Sequence, residues 1–122
     1  MTESIFFDQC RTCGRVRLRM RCARMGTDYC VLLDGGDRPH LGAVSLCGAD
    51  GVCRDLSEPQ HREALLASQI AQQIQSATKC VVSVLCGIHI NEITPQEIQS
   101  VFDVSAALTK DLLAHINANK VR

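Results

Sequence analysis

The residues best suited to chemistry lie in the segment Asp34-Gly35-Gly36-Asp37-Arg38-Pro39-His40-Leu41-Gly42. Two adjacent glycines allow positive φ and let a ligand approach the backbone closely. Pro39 stiffens the segment and presents His40 at the mouth of the next strand. Gly42, at the start of that strand, leaves space where a side chain would stand. One reading is an ordinary strand-turn-strand connection. The other is a small-ligand or phosphate pocket, with His40 as hydrogen-bond donor or metal ligand. His89 follows a continuously apolar run and admits the same two readings, hydrogen-bonded structure or metal ligand. His61 and His115 fall on helical patterns and are given no role.

Cysteine and arginine supply the remaining chemistry. There are eight cysteines. Cys30, Cys47, Cys80 and Cys86 sit in apolar runs and read as small core residues. Cys10-x-x-Cys13 has the spacing of half a zinc site or of a redox pair, but no second close pair completes a zinc ribbon. With no export signal at the N-terminus, the cysteines are expected to be reduced. Residues 15–22, RVRLRMRC, place Arg15, Arg17, Arg19 and Arg21 along one face of a strand. Four like charges repel there unless acids, a phosphate group or a docking partner relieve them.

These residues need positioning elements. The period-2 alternation of 15–22 predicts a half-buried strand. Residues 28–34 form a second strand, turned back at Gly26-Thr27, and residues 41–47 a third. Residues 48–55 read as loop. Pro59 opens a helix whose buried stripe is Leu66, Ile70, Ile74 and Ala77. Residues 80–86, CVVSVLC, read as a strand buried on both faces. Thr94-Pro95-Gln96-Glu97 is a capping box that starts a second helix, running to about Asn117. The expected fold is a single small α/β (α+β) domain over residues 1–122. Its sheet is mixed or antiparallel, with four to five strands and two helices in the order β-β-β-α-β-α. An extra strand at residues 4–9 is left open. If 41–47 and 80–86 form a parallel β-α-β unit, His40 and His89 sit at opposite ends of the sheet. Two helices cover one face, so a second copy of the chain is the economical cover for the other, which predicts a homodimer.

Composition narrows the function. A chain of 122 residues with 46% hydrophobic and 21% charged residues is ordinary for a globular protein. Thirteen basic and thirteen acidic residues cancel, which argues against a nucleic-acid binder. No apolar run is long enough to span a membrane, and a cytoplasmic protein is expected. Nucleophile elbow, Walker loop, GxGxxG and HExxH are all missing, so no enzyme is indicated.

The strings GGDRPHLGAV (residues 35–44) and CGIHINEITPQEIQSV (residues 86–101) resemble the LpdD-like family of prenylated-flavin chaperones. The resemblance covers roughly residues 15–118, and residues 1–14 lie outside the family pattern. It implies a small accessory protein that binds reduced prenylated FMN and delivers it to, or protects it for, a UbiD-type decarboxylase. The cofactor-binding positions it implies, with the neighbouring Arg38 added, are Gly35, Gly36, Arg38, Pro39, His40, Gly42, Gly87 and Asn91; His40 and His89 would hold any divalent metal ion. The phosphate of such a flavin calls for backbone N–H groups, arginine or a metal. Few aromatics mean its ring must rest on aliphatic side chains. The alternative is a metal-binding or assembly module that docks on an enzyme without holding flavin.

Overall fold

The computed structural model describes residues 5–59 and 63–119. His61 and the remaining residues lie outside the described set. The chain order is β1 (Ile5–Cys13), β2 (Val16–Met25), β3 (Asp28–Gly36), β4 (Ala43–Cys47), β5 (Cys53–Ser57), α1 (Glu63–Thr78), β6 (Val82–His89) and α2 (Pro95–Ala118). The strands form one mixed sheet in the order β1-β2-β3-β6-β4-β5. The sheet thus has six strands rather than four to five. The extra strand left open at 4–9 is present from Ile5 onward and extends to Cys13.

The strand missed by sequence is β5, CRDLS. Its residues from Arg54 onward are all exposed, so no apolar alternation marks it. It is a strand because β4 pairs with it, from Ala43↔Ser57 to Cys47↔Cys53. β5 also reverses the chain before α1. The crossover therefore runs β5-α1-β6, and β4 pairs with β6 antiparallel, Ala43↔Cys86 to Cys47↔Val82. The parallel partner of β6 is β3. His40 and His89 consequently lie at the same end of the sheet.

Both helices pack on one face. Val16, Leu18, Met20 and Cys22 of β2, Val31 and Leu33 of β3 and Val82, Val84 and Cys86 of β6 are buried beneath Leu66, Ile70 and Ile74 of α1 and Leu108 and Leu112 of α2. Burial pushes the thiols of Cys22 and Cys86 up to about 12, as expected of inert packing residues. α2 begins with the predicted capping box: the Glu97 N–H donates to Thr94 Oγ1, and the Thr94 N–H donates to the Glu97 carboxylate. Its start is tied to the sheet by Arg15, which donates to both Glu97 oxygens at 2.7 and 2.8 Å and to the Asn91 carbonyl at 3.0 Å. That guanidinium, with the Thr94 N–H, holds the Glu97 carboxyl down at about 2. The apolar run at 80–86 is covered by helices on one face alone, and Ser83 and Leu85 on the other face are half-buried.

Cys10 and Cys13 are three residues apart on an extended strand, so they point to opposite faces. Cys10 pairs across from Arg19, while Cys13 lies beside Ser100 of α2. They form neither half a zinc site nor a redox pair. The expectation that all eight cysteines are free is corrected at one place. Cys47 and Cys53 stand directly opposite in the β4–β5 ladder, with Cα atoms 4.0 Å apart, and are joined as a disulfide. Six thiols remain. Thiol titration of the unfolded protein without reductant is expected to find those six, and all eight after reduction. Finding eight before reduction would contradict the pairing. Among the described residues, no helix is long and apolar enough to cross a membrane.

Candidate functional site

The helix-free face of the sheet carries the candidate site. Its side chains line up in rows across the strands, because directly paired residues share a face. One row reads Asp8, Arg21, Leu32, Leu85, Val44, Leu56 from β1 to β5. Four consecutive members are aliphatic. A second row, towards the loop end, reads Cys10, Arg19, Asp34, Gly87. The open face is thus charged over β1 and β2 and apolar over β6, β4 and β5.

The arginine stripe is resolved residue by residue. Arg15 pairs with Glu97, Arg19 with Asp8 at 2.7 Å, and Arg21 with Asp34 at 3.2 Å. The Arg19 hydrogen bonds hold the Asp8 carboxyl below the usual carboxylate range. Arg17 is left with no carboxylate among the described residues. It lines a cavity of about 560 Å³ together with Asp8, Cys10, Arg19, Asp34, Gly35, Gly36 and Pro39. A second cavity of about 280 Å³ continues from it past Asp34 and Pro39 to Leu32, His40, Leu41 and Leu85. A third, of about 250 Å³, continues past Leu41 to Val44 and Leu56. Together they form a trough that runs from an uncompensated cation to an aliphatic floor.

One wall of the trough is the loop from Asp37 to Gly42, held from beneath by β6. The N–H groups of Asp37 and Arg38 donate to the His89 carbonyl at 2.7 and 3.3 Å. The Asn91 N–H donates to Asp37 Oδ2 at 2.8 Å. Gly36 takes φ +79, which favours glycine, and a Cβ there would press on Ile90 at 2.9 Å and on the His89 carbonyl. Gly87 is needed for another reason. A Cβ on it would run into the His40 carbonyl and stand 3.0 Å from the Leu41 nitrogen. A Cβ on Gly42 would stand 2.7 Å from Glu63 Oε2 and 3.1 Å from His40 Nε2. Gly36 and Gly87 let the loop lie flat on the strand end.

The predicted positions divide accordingly. Gly35, Gly36, Pro39 and His40 line the trough. Gly42 lines its far end, Gly87 supports the loop, and Asn91 anchors it. Arg38 is exposed on the same loop. The two histidines share one end of the sheet, but their rings are engaged separately. His40 Nδ1 hydrogen-bonds to the Arg38 carbonyl at 3.3 Å, and its Nε2 lies 3.3 Å from Glu63 Oε1 at the start of α1. His89 Nε2 hydrogen-bonds to Asn91 Oδ1 at 3.0 Å. Among the described residues, no cluster of three or more His, Cys, Asp or Glu is placed to hold a metal ion.

Sequence reasoning missed Arg17 as a lone cation and missed the row Leu32–Leu85–Val44–Leu56. Alternation had marked all four arginines alike, and only the placement of acids on neighbouring elements singles out one of them. The aliphatic row needs the strand order, which puts residues from four separated segments side by side.

Residues 12–117 match the family described as the prenylated flavin chaperone LpdD-like domain. Protein LpdD of Lactiplantibacillus plantarum is 24% identical over 103 residues, covering 80% of this chain and 76% of that relative. A chain from the crystal structure of a chaperone complex for yeast 20S proteasome assembly superposes with a TM-score of 0.58 at 8% identity, covering 95% of this chain and 98% of its own. At that identity the likeness extends to the fold alone.

Proposed function

The chain belongs to the prenylated flavin chaperone LpdD-like family, and on that premise we propose that it binds reduced prenylated FMN on the open face of its sheet. It holds the cofactor for a UbiD-type decarboxylase, delivering it or protecting it from solvent, and has no reaction of its own. The observation that supports this most is the trough, which pairs the unpartnered Arg17 with an aliphatic floor.

The residues present fit such a group. Arg17 and the backbone around Gly35 and Gly36 would hold the phosphate, an arrangement suited to a dianion. Leu32, Leu85 and Leu41 would lie under the ring, in place of the aromatic stacking that this composition denies. Pro39 and His40 would wall the middle of the trough. The flavin supplies redox and covalent chemistry to the partner enzyme; these residues supply binding, orientation and exclusion of water. The reading of a metal module is not favoured, because the rings of His40 and His89 are engaged apart from one another.

Anaerobic calorimetric titration tests the reading. Reduced prenylated FMN is expected to bind, and its dephosphorylated form to bind at least about tenfold more weakly, a loss of roughly 1.4 kcal/mol. An absence of binding by both would overturn the proposal. Equal binding would remove the phosphate from the Arg17 end.

A further inference from the structure

Strand β5 closes one side of the sheet and, among the described residues, has β4 as its only strand neighbour. Residues 54–59 are all exposed, and Leu56 is 77% exposed. An edge strand that shows a leucine to solvent is a template for another strand. The direction of its backbone groups follows from one bond: the Glu58 N–H donates to the Gly42 carbonyl at 2.8 Å. Alternate strand residues turn their N–H and C=O groups to opposite sides. Arg54, Leu56 and Glu58 therefore face β4, and Asp55 and Ser57 offer their backbone groups to the free edge.

We propose that β5 pairs antiparallel with β5 of a second copy, about a twofold axis normal to the sheet at Leu56. A twofold in that orientation keeps each residue on its own face, so the centre must fall on a residue. Centred on Leu56, the register is complementary from residue 54 to residue 58. Asp55 faces Ser57 of the second copy as a hydrogen-bonded pair, and the reverse. Leu56 faces its own counterpart as a non-hydrogen-bonded pair, where side chains approach most closely. Arg54 faces Glu58 of the second copy twice over. Neither Arg54 nor Glu58 has an ion-pair partner among the described residues of its own chain.

Neighbouring registers fail for stated reasons. A centre at Asp55 sets two carboxylates against each other, and one at Arg54 sets two guanidinium groups together. A centre at Ser57 sets Leu56 opposite the carboxylate of Glu58 and loses the pairing of Arg54 with Glu58. The Leu56 register also prolongs the aliphatic row, so Leu32–Leu85–Val44–Leu56 continues into the second copy's Leu56–Val44–Leu85–Leu32 on the same face. The open faces of both copies then point the same way. This inference stands on the edge strand and is independent of what the trough binds.

Sedimentation equilibrium across the micromolar range is the test, with circular dichroism to verify that each variant is folded. The wild-type chain is expected to dimerise. Arg54→Glu and Glu58→Arg should each weaken dimerisation at least about tenfold, since each places like charges opposite one another. The double variant Arg54→Glu/Glu58→Arg should restore it. Ser57→Pro, which removes an outward N–H on an exposed edge, should give monomer. A wild-type chain that stays monomeric would overturn the proposal. So would failure of the charge swap to restore pairing, or a dimer indifferent to Ser57→Pro but broken by Leu85→Glu, which would mean that the copies meet face to face.

Discussion

Gly87→Ala is expected to lower the midpoint of thermal unfolding by roughly 10 °C, the shift that about 3 kcal/mol produces in a chain of this size. The cause is steric. Gly87 lies on β6 beneath the Asp37–Gly42 loop, and an added methyl would occupy the place of the His40 carbonyl. That obstacle is backbone, so no rotamer change removes it. The loop must lift, and it would pull against the hydrogen bonds of Asp37 and Arg38 to the His89 carbonyl. Overpacking of this kind costs more than the average surface change. Scanning calorimetry of the two proteins measures the effect. An unchanged midpoint would mean that the loop does not rest on β6.

Arg17→Glu is expected to abolish binding of reduced prenylated FMN at concentrations where the wild-type chain is saturated. Neutral removal, Arg17→Ala, should cost about tenfold, or roughly 1.4 kcal/mol. The reversal adds repulsion of a dianion in a cavity that already holds Asp8 and Asp34. Those two acids are balanced by Arg19 and Arg21. Arg17 is the cation in surplus, so its charge sets the sign of the site. The fold should be unaffected, because Arg17 is exposed and makes no ion pair among the described residues. Anaerobic titration of folded variants gives the answer. Wild-type affinity in Arg17→Glu would move the phosphate away from β2.

Much of the scaffold was legible in order. The alternation at 15–22, the capping box at Thr94 and the stripe through Leu66, Ile70 and Ile74 each report local geometry, and each element is present. Strand β5 was not legible, and its loss had a consequence. Without it, β4 and β6 read as the two ends of one parallel unit, which sent His40 and His89 to opposite ends of the sheet. One exposed five-residue strand reverses the chain and brings them to the same end.

The sequence by itself determined the strand and helix segments other than β5, the apolar face of β2 and of both helices, and which loop is unusual, because these depend on residues a few positions apart. The GGDRPHLGAV and CGIHINEITPQEIQSV strings were also enough to point to the family. Only the tertiary structure decided which arginine is left unpaired. Glu97, Asp8 and Asp34, which neutralise the other three, come from α2, β1 and β3. It also decided that the glycines at 36 and 87 serve close packing of the loop on β6, that Gly42 leaves room for Glu63 and the His40 ring, and that Leu32, Leu85, Val44 and Leu56 form one row. Charge balance and steric contact act between neighbours in space, and the strand order β1-β2-β3-β6-β4-β5 makes neighbours of residues that the chain keeps far apart.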